Sequence, residues 1–159
     1  MKIEHRLEQL GLQLPDAMKL PPGVVLPFPN VRVYGNRAFI SGHGPLEPDG
    51  SLPSTLGKVG TEVSETDAIL AARSTALAIL ASLRRELGDL DRVTAWLRVF
   101  GMVNAAPGFT RAPAVMNGFT DLILSLWGSA AGSHARSAVG LAELPFRIPV
   151  EIEAEVAIA

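Results

Sequence analysis

Val150-Glu151-Ile152-Glu153-Ala154-Glu155-Val156-Ala157-Ile158 decides the fold class. Apolar residues at even positions face glutamates at 151, 153 and 155, the two-residue period of a strand buried on one side. The stretch just before it, His134-Ala135-Arg136-Ser137-Ala138-Val139, also alternates, setting Ala135, Ser137, Val139 and Leu141 against His134, Arg136 and Ala138. Pairing of these two strands through Glu143-Leu144-Pro145 is expected to bring a guanidinium and a carboxylate together on one sheet, as a site for a small carboxylate.

Working upstream, Pro113 opens a helix to about Trp127 with Val115, Phe119, Leu122, Ile123 and Leu126 as its buried set. Asp91 to Asn104 reads as a strand in which Val93, Ala95, Leu97 and Val99 oppose Thr94, Trp96, Arg98 and Phe100. Both faces are partly apolar, so Trp96, Arg98 and Phe100, beside the acidic face of the last strand, form a surface suited to another subunit. A longer helix is capped by Ser64, carries Ile69, Ala72, Ala76, Ile79, Leu83 and Leu87 as a stripe, and stops at Gly88.

Gly42 to Gly60 is a long Gly- and Pro-containing loop. Before it, Val31–Val33 and Ala38–Ser41 flank Tyr34-Gly35-Asn36-Arg37 as a hairpin, with Gly35 and Asn36 expected to supply the unusual backbone angles. Five prolines between Pro15 and Pro29 make an irregular arm. Ile3, Leu7 and Leu10 with the stop at Gly11 mark a short first helix. The sum is a single α+β domain over residues 1–159, two helices packed on one face of a mixed sheet, with residues 1–30 as helix and arm.

With 159 residues, 48% of them hydrophobic, the chain holds enough apolar mass for one core. A net charge of −2 gives no basic footprint, so nucleic acid is not an expected partner. No cysteine is present, which excludes thiolate chemistry and disulfides. The N-terminus lacks a signal-peptide core, and no stretch reads as about 20 apolar residues able to span a bilayer. No membrane partner and a cytoplasmic location are the corresponding expectations.

Arg136 heads the chemical candidates, because a guanidinium matches a carboxylate and stays charged. It stands either as a ligand anchor or in a structural salt bridge to Glu151 or Glu153. Glu151 reads either as a group that positions water or as one of three solvated glutamates. Asn117 is either a ligand contact or a solvent-facing helix residue. Ser41-Gly42-His43-Gly44-Pro45 lets backbone approach a ligand, or is a plain turn. His5, His43 and His134 have no metal-ligand spacing, so no metal is expected. No G-x-S-x-G elbow supports a triad of Ser41, His134 and a glutamate.

Arg136-Ser137-Ala138-Val139, then Leu144-Pro145, then Val150-Glu151-Ile152-Glu153-Ala154 resembles the Rid family (reactive intermediate deaminases, YjgF-type or L-PSP endoribonuclease-like). Weaker similarity runs from Val31 through Gly35-Asn36, Ser41-Gly42, the long helix and Val115-Met116-Asn117. The first helix and Gly88–Val93 resemble its longer subgroup.

The resemblance implies a chorismate-mutase-like fold, a homotrimer with clefts between subunits, and no cofactor. It also implies hydrolysis of a small 2-imino or enamine acid to a 2-oxo acid and ammonia. Arg136 then binds the carboxylate and Glu151 positions water, with Asn117, Ser41, Gly42, His43 and Ala138 lining the substrate site. A non-catalytic trimer that binds a small carboxylate, such as a 2-oxo acid, is the alternative. Endoribonuclease activity ranks third, against the acidic balance of the chain. The chain departs from the family pattern in Gly23-Val24-Val25-Leu26-Pro27-Phe28, where a Gly-Pro-Tyr-type segment with a tyrosine is usual, at His43, where glutamine is common, and at Ala138, often a cysteine.

Overall fold

The computed structural model describes residues 1–159. In chain order the elements are α1 (Lys2–Gln9), β1 (Val31–Tyr34), β2 (Arg37–His43), α2 (Glu65–Leu87), β3 (Val93–Asn104), α3 (Ala112–Gly132), β4 (Ala135–Leu141) and β5 (Val150–Ile158). One five-stranded sheet has the order β1-β2-β5-β3-β4. Only the β3–β4 pair is parallel, as a strand-helix-strand crossover through α3 requires.

Local chemistry accounts for the ends of α2. Ser64 accepts a hydrogen bond from the Asp67 backbone N–H, and Gly88 closes the helix at φ +80°. This is also the one helix long and apolar enough, by length and composition, to cross a membrane, where no such stretch was expected. Its apolar residues are used inside the fold instead. Ala72, Ala76, Ile79, Leu80 and Leu83 are fully buried in a core shared with the sheet and α3. Helix α3 keeps helical geometry from Pro113 to Trp127 and breaks at Gly128, where φ is +73°.

The hairpin turn has positive φ at Gly35 alone, not at Asn36 as expected, which fits a turn with glycine at its first central position. The arm between α1 and β1 forms no helix or strand. It is tied down by Asp16 N–H to Pro48 O and Lys19 N–H to Gly50 O, both 2.9 Å.

Two further expectations fail, with one consequence each. β4 and β5 do not pair, because β3 lies between them. Arg136 registers with Val99 and Glu151 with Met102, three positions apart on β3, so they point to opposite faces of the sheet. Within one chain the pair cannot meet, and Arg136 makes no salt bridge to Glu151 or Glu153. Trp96 does not lie on the open face either. The β3–β5 register shifts between Trp96 and Arg98, and this irregularity turns Trp96 into the core at 2% exposure while Arg98 and Phe100 stay outside.

Candidate functional site

The sheet carries two separate polar assemblies. On the helix side of edge strand β4, Arg136 is held by α3. Its Nη1 donates to Asn117 Oδ1 at 2.9 Å and to Thr120 Oγ1 at 3.1 Å, and Nη2 donates to Pro113 O at 3.3 Å. Asn117 and Thr120 lie three apart, hence on one face of α3. All three acceptors are neutral, so the guanidinium is oriented but its charge is not matched. Ala138 shares this face two residues on, half-buried against the core.

The second assembly lies where β2 ends. Gly42 is pressed against the Glu151 side chain: a Cβ placed there would lie 2.5 Å from Glu151 Oε2. Only glycine leaves that carboxylate in place. Burial, with Glu153 nearby, pushes the Glu151 carboxyl above its ordinary value. Ser41 turns away from this centre, its hydroxyl donating to Pro29 O at 2.9 Å and fastening the end of the arm.

His43 sits beside them in a polar chain. Its Nδ1 lies 2.6 Å from Ser41 O, which only accepts, so Nδ1 carries the proton. Nε2 then accepts from Ser82 Oγ at 2.9 Å, and Arg85 donates to that same hydroxyl at 3.0 Å. His134 repeats the arrangement near Arg136, with Nδ1 to Gly132 O at 2.7 Å and Nε2 to Thr120 Oγ1 at 3.1 Å. Burial pushes both imidazoles below their ordinary pKa, more than their carbonyl hydrogen bonds raise it, and the nearby arginines push the same way.

The linkage has a definite sign. The unfolded chain takes up protons near pH 6.5 and the folded one resists until lower pH, so stability is lost as pH falls below about 6.5. Urea unfolding at pH 7.5 and 5.5 is expected to show this loss, and His43→Gln is expected to shrink it.

Gly42, His43 and Glu151 line a cavity of about 320 Å³ roofed by the arm. Val24, Leu26 and Phe28, from the segment in which the family tyrosine is usual, lie in this roof. Tyr34 does not stand in for it, since it is 74% exposed at the hairpin tip. Of the residues named from sequence, Gly42, His43 and Glu151 are therefore brought together, Arg136, Asn117 and Ala138 form the other group, and Ser41 supports the first. Thr120 and Ser82 were missed. Ser82 had a signal, a lone hydroxyl within the apolar run Ala78–Leu83, and Thr120 had its spacing from Asn117.

No family model matches the chain. Protein TCP17 of Trypanosoma cruzi is 36% identical over 156 residues, covering 96% of this chain and 92% of that one. Among solved structures, a protein of unknown function from Agrobacterium tumefaciens is 37% identical at a TM-score of 0.85, with 99% and 92% of the two chains covered. A protein of Shewanella oneidensis provisionally described as an endoribonuclease superposes at 0.88 with 24% identity, over 99% and 100% of the chains. The fold extends to the Escherichia coli YjgF gene product, at a TM-score of 0.60 and 21% identity over 90% and 97% of the chains.

Proposed function

The chain belongs to the Rid (YjgF-type) family and has its chorismate-mutase-like α+β fold, and from that premise we propose that it hydrolyses a 2-imino or enamine acid to a 2-oxo acid and ammonia. The observation that carries this reading is Arg136, a guanidinium oriented by three neutral oxygens and left free to take a carboxylate. Glu151 supplies the second requirement. Its carboxyl, half-buried and held above its ordinary value by that burial and by Glu153, suits taking a proton from water as the oxygen adds to the C=N carbon. The imine reacts protonated on nitrogen, so addition gives a neutral carbinolamine; Glu151 returns its proton to that nitrogen, and as the C–N bond breaks the hydroxyl proton passes back to Glu151, the C=O forms and ammonia leaves. The electrophile is already reactive, so orientation and a placed water suffice, without cofactor or metal.

Because Arg136 and Glu151 face opposite sides of one sheet, a complete site needs the Arg136 group of one subunit against the Glu151 group of another. The trimer belongs to this proposal. The open sheet face offers the surface for it, with Arg98, Phe100, Phe39 and Glu155 around a shallow depression. We place the protein in the cytoplasm, where such imines arise.

The test is complementation. Imines generated in place by an amino-acid oxidase are expected to be hydrolysed by the wild type, with kcat/KM lowered roughly 100-fold by Arg136→Ala, the effect of losing charge-assisted hydrogen bonds. Arg136→Ala and Glu151→Gln chains, unfolded together and refolded as mixed trimers, are expected to regain activity at about a quarter of their sites. Mixed trimers as inactive as either parent would refute the shared site.

The segment Gly23–Phe28, which holds no tyrosine, favours a second reading, a trimer that binds small carboxylates without turnover, since the usual phenolic hydroxyl is absent. A relative of the same fold, TdcF of Escherichia coli, has been solved with bound serine. Absence of any imine hydrolysis, with Arg136-dependent binding of 2-oxo acids, would select that reading.

A further inference from the structure

We propose that the cavity under the proline-rich arm receives the substrate's side chain, and that this side chain is large and apolar, either aromatic or branched aliphatic. The inference rests on the placement of Glu151 in the active site. It adds what kind of molecule is held there.

Gly42, His43 and Glu151 share the lining of this cavity with Leu20, Val24, Leu26 and Phe28 of the arm and with Leu52 and Phe146. Its volume of about 320 Å³ lies at the lower end of the roughly 300–1,000 Å³ found for small-molecule sites. It suits an amino-acid-sized ligand with a bulky tail. A serine- or alanine-derived imine would leave most of the apolar wall without contact atoms.

The wall is also bare. Val24, Leu26, Phe28 and Phe146 are 45%, 39%, 51% and 50% exposed, although they converge on one hollow. Apolar groups gathered around a cavity and left wet gain from being covered by an apolar ligand.

Phe146 is held there against its backbone preference. It has φ +57° and the next residue, Arg147, φ +58°, a region that bulky residues avoid. The turn is pinned in that state by an ion pair of Arg147 with Glu62 and by Gly57 N–H donating to Arg147 O at 2.7 Å. Strain maintained by such anchors, beside a cavity, is the pattern of a residue kept for contact with a ligand.

One cation complicates the lining. Arg85 reaches the cavity and donates to Ser82 without a carboxylate partner, so an acidic tail is the competing occupant.

The experiment measures binding of four 2-oxo acids with the same head group: pyruvate, 4-methyl-2-oxopentanoate, phenylpyruvate and 2-oxoglutarate. Calorimetry on the wild type is expected to find the two apolar tails bound roughly 10- to 100-fold more tightly than pyruvate. Leu26→Asp, in the partly exposed arm, is expected to collapse that ratio. Equal affinities across the panel, or 2-oxoglutarate as the tightest, would overturn the proposal. Imine turnover is assayed alongside with alanine-, leucine- and phenylalanine-derived substrates. Tail-dependent binding without turnover leaves the pocket standing and removes the deaminase reading, whereas turnover indifferent to the tail does the reverse.

Discussion

Glu151→Gln is expected to lower kcat/KM for imine hydrolysis by about 10²- to 10⁴-fold, the range for removing a positioned general base. The same substitution is expected to raise the melting temperature at pH 7. Glu151 is shifted upward, so the folded chain binds its proton more tightly than the unfolded one does. The stabilising contribution is therefore present below the unfolded value near 4.5 and is lost as pH rises through the folded one. At neutral pH the ionised carboxylate sits partly shielded and beside Glu153, and a neutral amide of the same shape removes that burden. Activity and thermal unfolding measured on one preparation separate the alternatives. A variant that loses activity and stability together would mark Glu151 as structural, and unchanged activity would remove it from the reaction.

The second large effect is expected in the core. Trp96→Ala should cost about 3–5 kcal/mol, the usual range for removing a large buried aromatic. Trp96 meets Phe119 edge-on at 5.6 Å and 77°, and Trp127 at 5.5 Å and 74°, so one deletion strips contacts from two helix residues at once. Single domains hold roughly 5–15 kcal/mol in total, so this variant should approach the limit of folding. Trp96→Phe should be far milder, below about 1.5 kcal/mol, because the ring is largely retained. It also deletes an indole N–H that is buried without an acceptor. Urea titrations of the two variants check the order, and a Trp96→Phe loss as large as that of Trp96→Ala would show that the indole N–H matters after all.

These two residues also show where sequence reading stops. Glu151 was legible, since the alternation of β5 is uninterrupted and the pattern Val150–Ala154 is specific. The ends of α2 were legible for the same kind of reason: the Ser64 cap and Gly88 act locally. Trp96 was assigned to the wrong face because strict alternation carries no mark of an irregularity: the shift between Trp96 and Arg98 turns Trp96 inward, and a second shift between Val93 and Ala95 leaves Val93 in the core. Sheet order was hidden too. Neighbouring strands in sequence often pair, but β4 returns through α3 to lie parallel beside β3, and β5 must then pair with the other edge of β3. Arg136 and Glu151 were thus both picked out as candidates and wrongly joined. Arg85, Ser82 and Thr120 came into view only through side-chain packing, although the hydroxyls at 82 and 120 sat in plain sight within helical runs.

The contact between Gly42 and Glu151 has a consequence for descent. Any side chain at 42 intrudes on the carboxylate, 2.5 Å from a Cβ, so the fitness of a change at either position depends on what occupies the other. A lineage that keeps the acid in this pose favours the glycine, because a side chain at 42 obliges the carboxylate to swing aside. Once the acid has shortened or gone that constraint lifts, so loss of the chemistry would be recorded first at 151 and only later at 42.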